Sequence, residues 1–157
     1  MLGEGQQLPM VNPLEEVFPG LVKGDYRITS PTNPDYNCLA WAVKDTGKWW
    51  WPGLDEEREY WPPGVLREAT LDAFQAALIL LGYGVCPGED VESGFEKVAL
   101  FADALGKPKH AARQLPTGRW TSKLGRMEDI EHELRDLEGV AYGAVVLILR
   151  RPVPADV

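Results

Sequence analysis

The stretch Asn-Pro-Asp-Tyr-Asn-Cys-Leu-Ala-Trp-Ala-Val at residues 33–43 decides the predicted fold. Its opening residues are rich in Asn, Asp and Pro, which favour turns and helix N-caps. The apolar run from Leu39 to Val43 then predicts a short buried helix. Cys38 therefore falls in the first turn of that helix, where free backbone N–H groups and the positive end of the helix dipole favour an anion.

A cysteine in such a position is expected to have a lowered pKa and to form the nucleophilic thiolate. A nucleophilic cysteine also needs a base, and the chain contains two histidines, His110 and His132. His110 lies in a segment that predicts a strand. His132 lies among acidic residues on a predicted amphipathic helix over residues 127–138 and is expected at the surface. We therefore predict a Cys38–His110 pair. The alternative is a structural cysteine, since free cysteines are often buried, and a strand histidine that is satisfied by a nearby carbonyl.

Length, composition and charge narrow the classes of protein that the chain can represent. The 157 residues predict one domain over residues 13–157, preceded by a loosely ordered segment at residues 1–12. A net charge of −8 argues against nucleic-acid binding, which requires clustered Lys and Arg. The sequence contains no signal-peptide pattern and no apolar run long enough for a membrane span, which predicts a cytoplasmic protein that does not bind membranes.

No metal ion or cofactor is predicted from the residue patterns. The two cysteines, Cys38 and Cys86, are far apart and form neither a disulfide framework nor a zinc motif, which favours a reducing compartment. Cys86 precedes a proline and has no cation near it in sequence, so we interpret it as structural. The oligomeric state is left open by the sequence.

An aromatic loop at residues 48–63 contains four of the six tryptophans. We predict that this loop folds back over the core, with Trp50 and Trp61 reaching the site; an aromatic wall over a cleft is the alternative. After the loop, Thr70 and an apolar stripe predict a helix over residues 70–81.

The second half of the chain predicts an antiparallel sheet. Residues 96–103 fit a strand or a helix equally well, and residues 110–124 predict a hairpin around a Pro-Thr-Gly turn. Residues 143–150 form an apolar run that predicts a central strand buried on both faces. Arg113 and Arg119 lie on facing strands of the hairpin. They are predicted either to bind a carboxylate or phosphate of the substrate or to pair with acidic residues of the chain.

Several motifs of this chain resemble a family of small bacterial proteins of unknown function. They are Asn-Cys-Leu-Ala-Trp-Ala (37–42), Trp-Trp-Trp-Pro (49–52), Tyr-Trp-Pro (60–62), Gly-Phe-Glu-Lys-Val-Ala-Leu-Phe-Ala (94–102), His-Ala-Ala-Arg-Gln (110–114) and Trp-Thr-Ser-Lys-Leu-Gly (120–125). More distantly, the order of a helix-borne Cys followed by a strand-borne His resembles the papain-like hydrolases of the NlpC/P60 type. That resemblance implies a compact papain-like α+β fold, in which N-terminal helices that carry the Cys pack on an antiparallel sheet that carries the His.

The resemblance also implies a function, a cysteine-dependent hydrolase or amidase (peptidase, deamidase or acyl transferase) that acts on a peptide, amide or protein substrate. Cys38 would be the nucleophile and His110 the base. The family's third, orienting group has no exact match here, and the candidates are Ser122, Gln114 and Asp103. Tyr36 and Asn37 are predicted to add donors for the substrate. The alternative function is a non-catalytic protein-binding module that uses the aromatic loop and the hairpin.

Overall fold

A computed structural model describes residues 13–153, and the predicted loose segment at residues 1–12 lies outside the described residues, as do residues 154–157. Three α-helices and two short 3₁₀ helices are present within residues 13–153. These are α1 (Pro13–Val17), α2 (Cys38–Ala42), α3 (Leu71–Leu80) and the 3₁₀ helices Pro19–Val22 and Leu134–Leu137. The strands are β1 (Arg27–Ser30), β2 (Gly84–Val85), β3 (Phe95–Ala102), β4 (Pro108–Gln114), β5 (Trp120–Lys123), β6 (Asp129–His132) and β7 (Ala144–Pro152).

The seven described strands form one antiparallel sheet in the order β1-β6-β5-β4-β3-β7-β2. The predicted hairpin is confirmed as β4 and β5, with Arg113 opposite Thr121. Residues 95–102, which fitted either a strand or a helix in sequence, form a strand because β4 and β7 pair with its two edges. The chain is thus a mixed fold in which a few short helices pack on a large antiparallel sheet.

Two apolar cores lie on opposite faces of the sheet, because successive residues of a strand point to opposite sides. The first core contains Leu100 and Ala111 together with the buried residues of α2, α3 and the aromatic loop. The second core contains Phe101 and Ala112 together with α1, both 3₁₀ helices and Ile130 of β6. Neighbouring side chains of β4 therefore belong to different cores: Ala111 lies in the first core and Ala112 in the second.

The helix predicted over residues 70–81 is confirmed. Thr70 is its N-cap, and the Thr70 hydroxyl accepts a hydrogen bond from the backbone N–H of Ala73 at 3.2 Å. Phe74 and Leu78 are buried on the inner side of the helix. None of the helices within residues 13–153 combines the length and the apolar character that a bilayer span requires.

Two predicted elements are wrong. Residues 127–138 do not form an amphipathic helix; they form strand β6 and a 3₁₀ helix, since β6 finds pairing partners in both β1 and β5. Strand β7 is not buried on both faces. Its outer neighbour β2 has two residues, and Val146 is 47% exposed.

Candidate active site

Cys38 begins helix α2, as the sequence predicts, and Asn37 is the N-cap. The Oδ1 atom of Asn37 accepts hydrogen bonds from the backbone N–H of Ala40 at 3.2 Å and of Trp50 at 3.0 Å. Its Nδ2 donates to the carbonyl oxygen of Trp50 at 2.7 Å. One side chain therefore both caps the helix and fastens the aromatic loop to its start.

The Cys38 thiol does not have the lowered pKa that the sequence predicts. Burial raises its pKa to about 11, although several groups act in the opposite direction. The backbone N–H groups of Ala111, Leu39 and Cys38 itself favour the thiolate, as does the nearby ammonium group of Lys123. Desolvation outweighs these groups because the Cys38 side chain is almost fully buried, at 7% exposed.

His110 lies on β4 and is 1% exposed. Its ring stacks on Tyr142, with 4.0 Å between centroids and an interplanar angle of 5°, and Phe101 packs against it edge-on. Both aromatic residues belong to or border the second core. Burial, together with the neighbouring His132, holds the pKa of His110 well below its usual value, so the ring is neutral at pH 7.

A chain of hydrogen bonds runs from His110 through Ser122 to His132. Nε2 of His110 lies 2.9 Å from Ser122 Oγ, which in turn lies 2.7 Å from Nε2 of His132. Nδ1 of His132 lies 2.8 Å from the carbonyl oxygen of Glu133. Burial lowers the pKa of His132 to about 4, so this ring is also neutral at pH 7.

These contacts assign the tautomer of each ring. A carbonyl oxygen can accept but not donate, so His132 carries its proton on Nδ1 and accepts at Nε2. The Ser122 hydroxyl therefore donates to His132 and accepts from Nε2–H of His110. His110 is left with an unprotonated Nδ1, and this buried atom has no hydrogen-bond partner among residues 13–153.

The expectation that His132 is exposed on a helix is wrong, since the residue is fully buried on β6. Ile130, Leu134 and Leu137 have the spacing of an apolar helix face, and this spacing predicts a helix where the structure has a strand. The signal that could have revealed His132 is the alternation of apolar and polar residues in Asp-Ile-Glu-His at residues 129–132, directly after the predicted hairpin. A third strand there places its even-numbered residues on the same face as Ser122.

Cys38 and His110 both lie at β4, and Cys38 is near enough to Tyr142, whose ring stacks on His110, to help raise the pKa of the Tyr142 hydroxyl. Helix α2 packs with the first core, and the sulfur faces the backbone N–H of Ala111, the residue after His110. The His110 ring lies with Tyr142 and the second core. No hydrogen bond joins Cys38 to His110 within residues 13–153.

Of the three candidates for the orienting group, Ser122 is the one that contacts the His110 ring. Gln114 instead donates to the carbonyl oxygen of Glu89 at 2.6 Å and holds a loop. Asp103 accepts from the backbone N–H groups of Leu105 and Lys107 and closes the turn between β3 and β4.

The residues predicted to bind substrate serve mainly structural contacts. Tyr36 donates from its hydroxyl to Asp129 Oδ2 at 2.9 Å. Trp50 and Trp61 are 3% and 6% exposed and belong to the first core, so their rings do not line an open cleft. The prediction that the aromatic loop covers the core is confirmed.

The two arginines of the hairpin have different surroundings. Arg119 forms ion pairs with Glu131 at 2.9 Å and with Glu133 at 2.7 Å. Of the two roles predicted for this residue, it therefore has the pairing with acidic residues of the chain. Arg113 stacks over the Trp41 ring at 5.0 Å, and its buried Nε has no hydrogen-bond partner among the described residues. Within residues 13–153 no group of three His, Cys, Asp or Glu side chains is placed to hold a metal ion.

Comparison with known proteins identifies one family. A family model described as a domain of unknown function (DUF7689) matches residues 27–150, a range that contains Cys38, His110, Ser122 and His132. No curated protein and no solved structure matches the chain.

Proposed function

The chain belongs to the DUF7689 family, and because that family is described as a domain of unknown function, we propose a function from the site itself: a cysteine-dependent acyl-transfer hydrolase or amidase. Cys38 is the nucleophile in this proposal and His110 is the general base. Ser122 and His132 orient the His110 ring. The likeness to papain-like enzymes of the NlpC/P60 type is part of the same proposal.

The observation that carries the proposal is the unpaired lone pair on Nδ1 of His110. A buried imidazole nitrogen without a partner costs free energy, and a catalytic role is one reason for a folded protein to retain such a group. Here the other nitrogen is held by Ser122 and His132, which prevents the tautomer from changing. Such an arrangement is what a base needs, because the orienting groups keep the accepting nitrogen free.

The proposed resting state is a neutral pair and not a thiolate–imidazolium pair. Burial raises the pKa of Cys38 to about 11 and holds that of His110 well below its usual value, so both groups are uncharged at pH 7. The proton then has to move as the substrate reacts. The proposal accordingly requires that the sulfur turn from the Ala111 N–H toward His110 Nδ1 when a substrate enters.

The reaction follows from these roles. His110 Nδ1 takes the thiol proton while the Cys38 sulfur bonds to the carbonyl carbon of an amide or ester. The bond to the leaving amine or alcohol then breaks, and the leaving group takes the proton from His110. Water hydrolyses the resulting thioester, with His110 again acting as the base, and the thiol is restored.

The test is acetylation of Cys38 by p-nitrophenyl acetate, a small activated ester. Release of p-nitrophenolate gives the rate, and peptide mass mapping identifies the acetylated residue. We expect the wild type to be acetylated at Cys38 at pH 7. His110→Ala should lower the rate by about 100-fold or more, the range that a general base contributes.

Cys86→Ser is the matched control, because Cys86 is also a buried free thiol but lies outside the proposed site. Its rate should equal that of the wild type. Acetylation that occurs at Cys86 or lysines alone, or an equal rate in a folded His110→Ala variant, would contradict the proposal. Ser122→Ala gives a second test, since it leaves Cys38 and His110 in place and should slow the reaction through loss of orientation.

The alternative function, a non-catalytic binding module, uses the aromatic loop and the hairpin as a docking surface. In the described residues Trp50 and Trp61 are buried and Arg119 is ion-paired. These contacts favour the enzymatic proposal over docking through the loop.

A further inference from the structure

A cavity of about 630 Å³ lies beside the end of β4 and the start of β3, away from the acyl-transfer site. Its apolar wall includes Val91, Phe95 and Leu115. Its polar wall includes Lys44, Glu96 and Arg113. The volume is typical of cavities that bind small molecules, and so is a mostly apolar wall with a few polar groups.

Arg113 is the unusual residue of this cavity. Its guanidinium lies over the Trp41 ring at 5.0 Å from the ring centroid. Trp41 itself is held in place, because its Nε1 donates to Thr121 Oγ1 at 3.0 Å. No carboxylate among the described residues forms an ion pair with Arg113, and its Nε has neither solvent contact nor a hydrogen-bond partner there.

The acidic residues of the cavity are already neutralised. Glu96 contacts Lys44 at 2.6 Å and Arg151 at 2.5 Å. Glu92 contacts Lys97 at 2.9 Å and also Arg150. Each carboxylate therefore faces two cations.

Arg113 is a fifth cation around these two carboxylates, in a chain whose net charge is −8. A concentration of positive charge within an acidic protein favours the entry of an anion. Because Glu92 and Glu96 in the cavity wall already form ion pairs with other cations, the charge of Arg113 is available to a ligand.

We propose that this cavity binds a small molecule that has one carboxylate and an apolar body. The carboxylate accepts hydrogen bonds from the terminal N–H groups of Arg113, in the paired geometry that a guanidinium offers. The apolar body packs against Phe95, Val91 and Leu115. Such a ligand suits the cavity better than inorganic phosphate, because phosphate has no apolar body to pack against the apolar wall. This inference does not depend on the acyl-transfer proposal.

The experiment is isothermal titration of the full chain with 4-phenylbutyrate and with 4-phenylbutanamide, its neutral amide of the same shape. We expect the wild type to bind the carboxylate at least tenfold more tightly than the amide. Arg113→Gln should abolish this preference. Arg119→Gln should keep it, because Arg119 lies just before β5 in the same hairpin and pairs with Glu131 and Glu133.

Val91→Trp provides a second variant if Arg113→Gln does not fold. It fills part of the cavity and leaves Arg113 in the chain, and Val91 is 48% exposed, so the fold should tolerate it. We expect this variant to lose binding of 4-phenylbutyrate. Equal affinity for the two probes, a preference that survives in Arg113→Gln, or tighter binding of inorganic phosphate than of 4-phenylbutyrate would each overturn the proposal.

Discussion

The buried Cys38, His110 and His132 side chains are all held in their uncharged forms. Burial raises the pKa of the thiol and lowers the pKa of each imidazole, and in all three cases desolvation is the largest cause. The helix start next to Cys38 exerts the effect that the sequence predicts, but its magnitude is smaller than the cost of burying a charge. The environment of the side chain, and not its place on the helix, sets its protonation state.

The rate at which iodoacetamide alkylates Cys38 measures the protonation state of the thiol, because the thiolate is the form that reacts. The pKa of Cys38 is raised from 9.0 to about 11. A shift of that size lowers the thiolate fraction at pH 8 by about 100-fold. We expect Cys38 in the folded protein to react at least 100-fold more slowly than Cys38 in urea-unfolded protein. A folded-state rate that matches the unfolded rate would show that the thiol is not desolvated.

The two buried histidines predict that stability falls as the pH falls. Above pH 6.5 His132 is neutral in the folded and unfolded chains, so it contributes no pH dependence there. Below pH 6.5 the unfolded chain takes up a proton, whereas the folded chain does not do so until about pH 4. The free energy of unfolding should therefore decrease between pH 6.5 and pH 4, by about 3 kcal/mol for His132.

Urea unfolding at pH 7.0, 5.5 and 4.5 tests this prediction. His132→Gln keeps an acceptor for the Ser122 hydroxyl but does not titrate, so it should have a smaller loss than the wild type over the same range. The remaining loss comes from His110, whose pKa is also lowered by burial. An unfolding free energy that stays constant from pH 7.0 to 4.5 would contradict the assignment of neutral buried rings.

At the scale of single elements, helix α2 depends on its neighbours. It has five residues, far fewer than an isolated helix needs in water. Asn37 fastens it by capping Ala40 and by bonding both the N–H and the carbonyl of Trp50. The position of Cys38 is therefore a property of the contact between the helix and the aromatic loop.

Asn37→Ala should be much more costly than an ordinary cap substitution. It removes a cap worth about 1 kcal/mol and leaves two buried backbone groups of Trp50 unpaired, so we expect a loss of about 3 kcal/mol or more. Thr70→Ala is the matched control, because Thr70 caps α3 through one bond to Ala73. Its cost should be about 1 kcal/mol. If urea unfolding shows the same loss of unfolding free energy for both variants, the hydrogen bonds between Asn37 and Trp50 do not stabilise the fold.

Strand β6 shows how tertiary pairing overrides a sequence pattern. Ile130, Leu134 and Leu137 are spaced as on a helix, and all three are buried in the second core. The backbone nevertheless extends at residues 129–132 because β1 and β5 leave a place between them for a strand. The same change of element converts His132 from an expected surface residue into the end of the hydrogen-bond chain.

For the whole molecule, the sheet separates two cores, and the first is closed by α3 and the aromatic loop. Phe74 joins these parts, since its ring lies 5.1 Å from Trp51 and 5.3 Å from Trp61. Phe74→Ala should lower the free energy of unfolding by about 3–5 kcal/mol and increase acrylamide quenching of tryptophan fluorescence. Phe95→Ala, at a site that is 37% exposed, should cost less than about 1 kcal/mol. A Phe74→Ala variant with unchanged quenching would show that the loop does not depend on α3.

The sequence by itself determined those elements whose signals are local. The cap at Asn37 and the turn residues before it predict α2, Thr70 and its apolar stripe predict α3, and a Pro-Thr-Gly turn between two short runs predicts the β4–β5 hairpin. Each signal is contained in a few consecutive residues and acts through the backbone near it. Ser122 as a neighbour of His110 also follows from the hairpin, because the spacing of paired strands places the two on one face.

Tertiary structure alone decided the rest, because those properties depend on residues that are distant in sequence. The choice of strand over helix at residues 129–132 depends on β1 and β5. The protonation of Cys38 and His110 depends on how completely two cores exclude water from them. The difference between Arg113, which forms no ion pair within residues 13–153, and Arg119, which pairs with Glu131 and Glu133, depends on which carboxylates the fold brings near. Desolvation and pairing are sums over neighbours in space, and a linear pattern does not contain them.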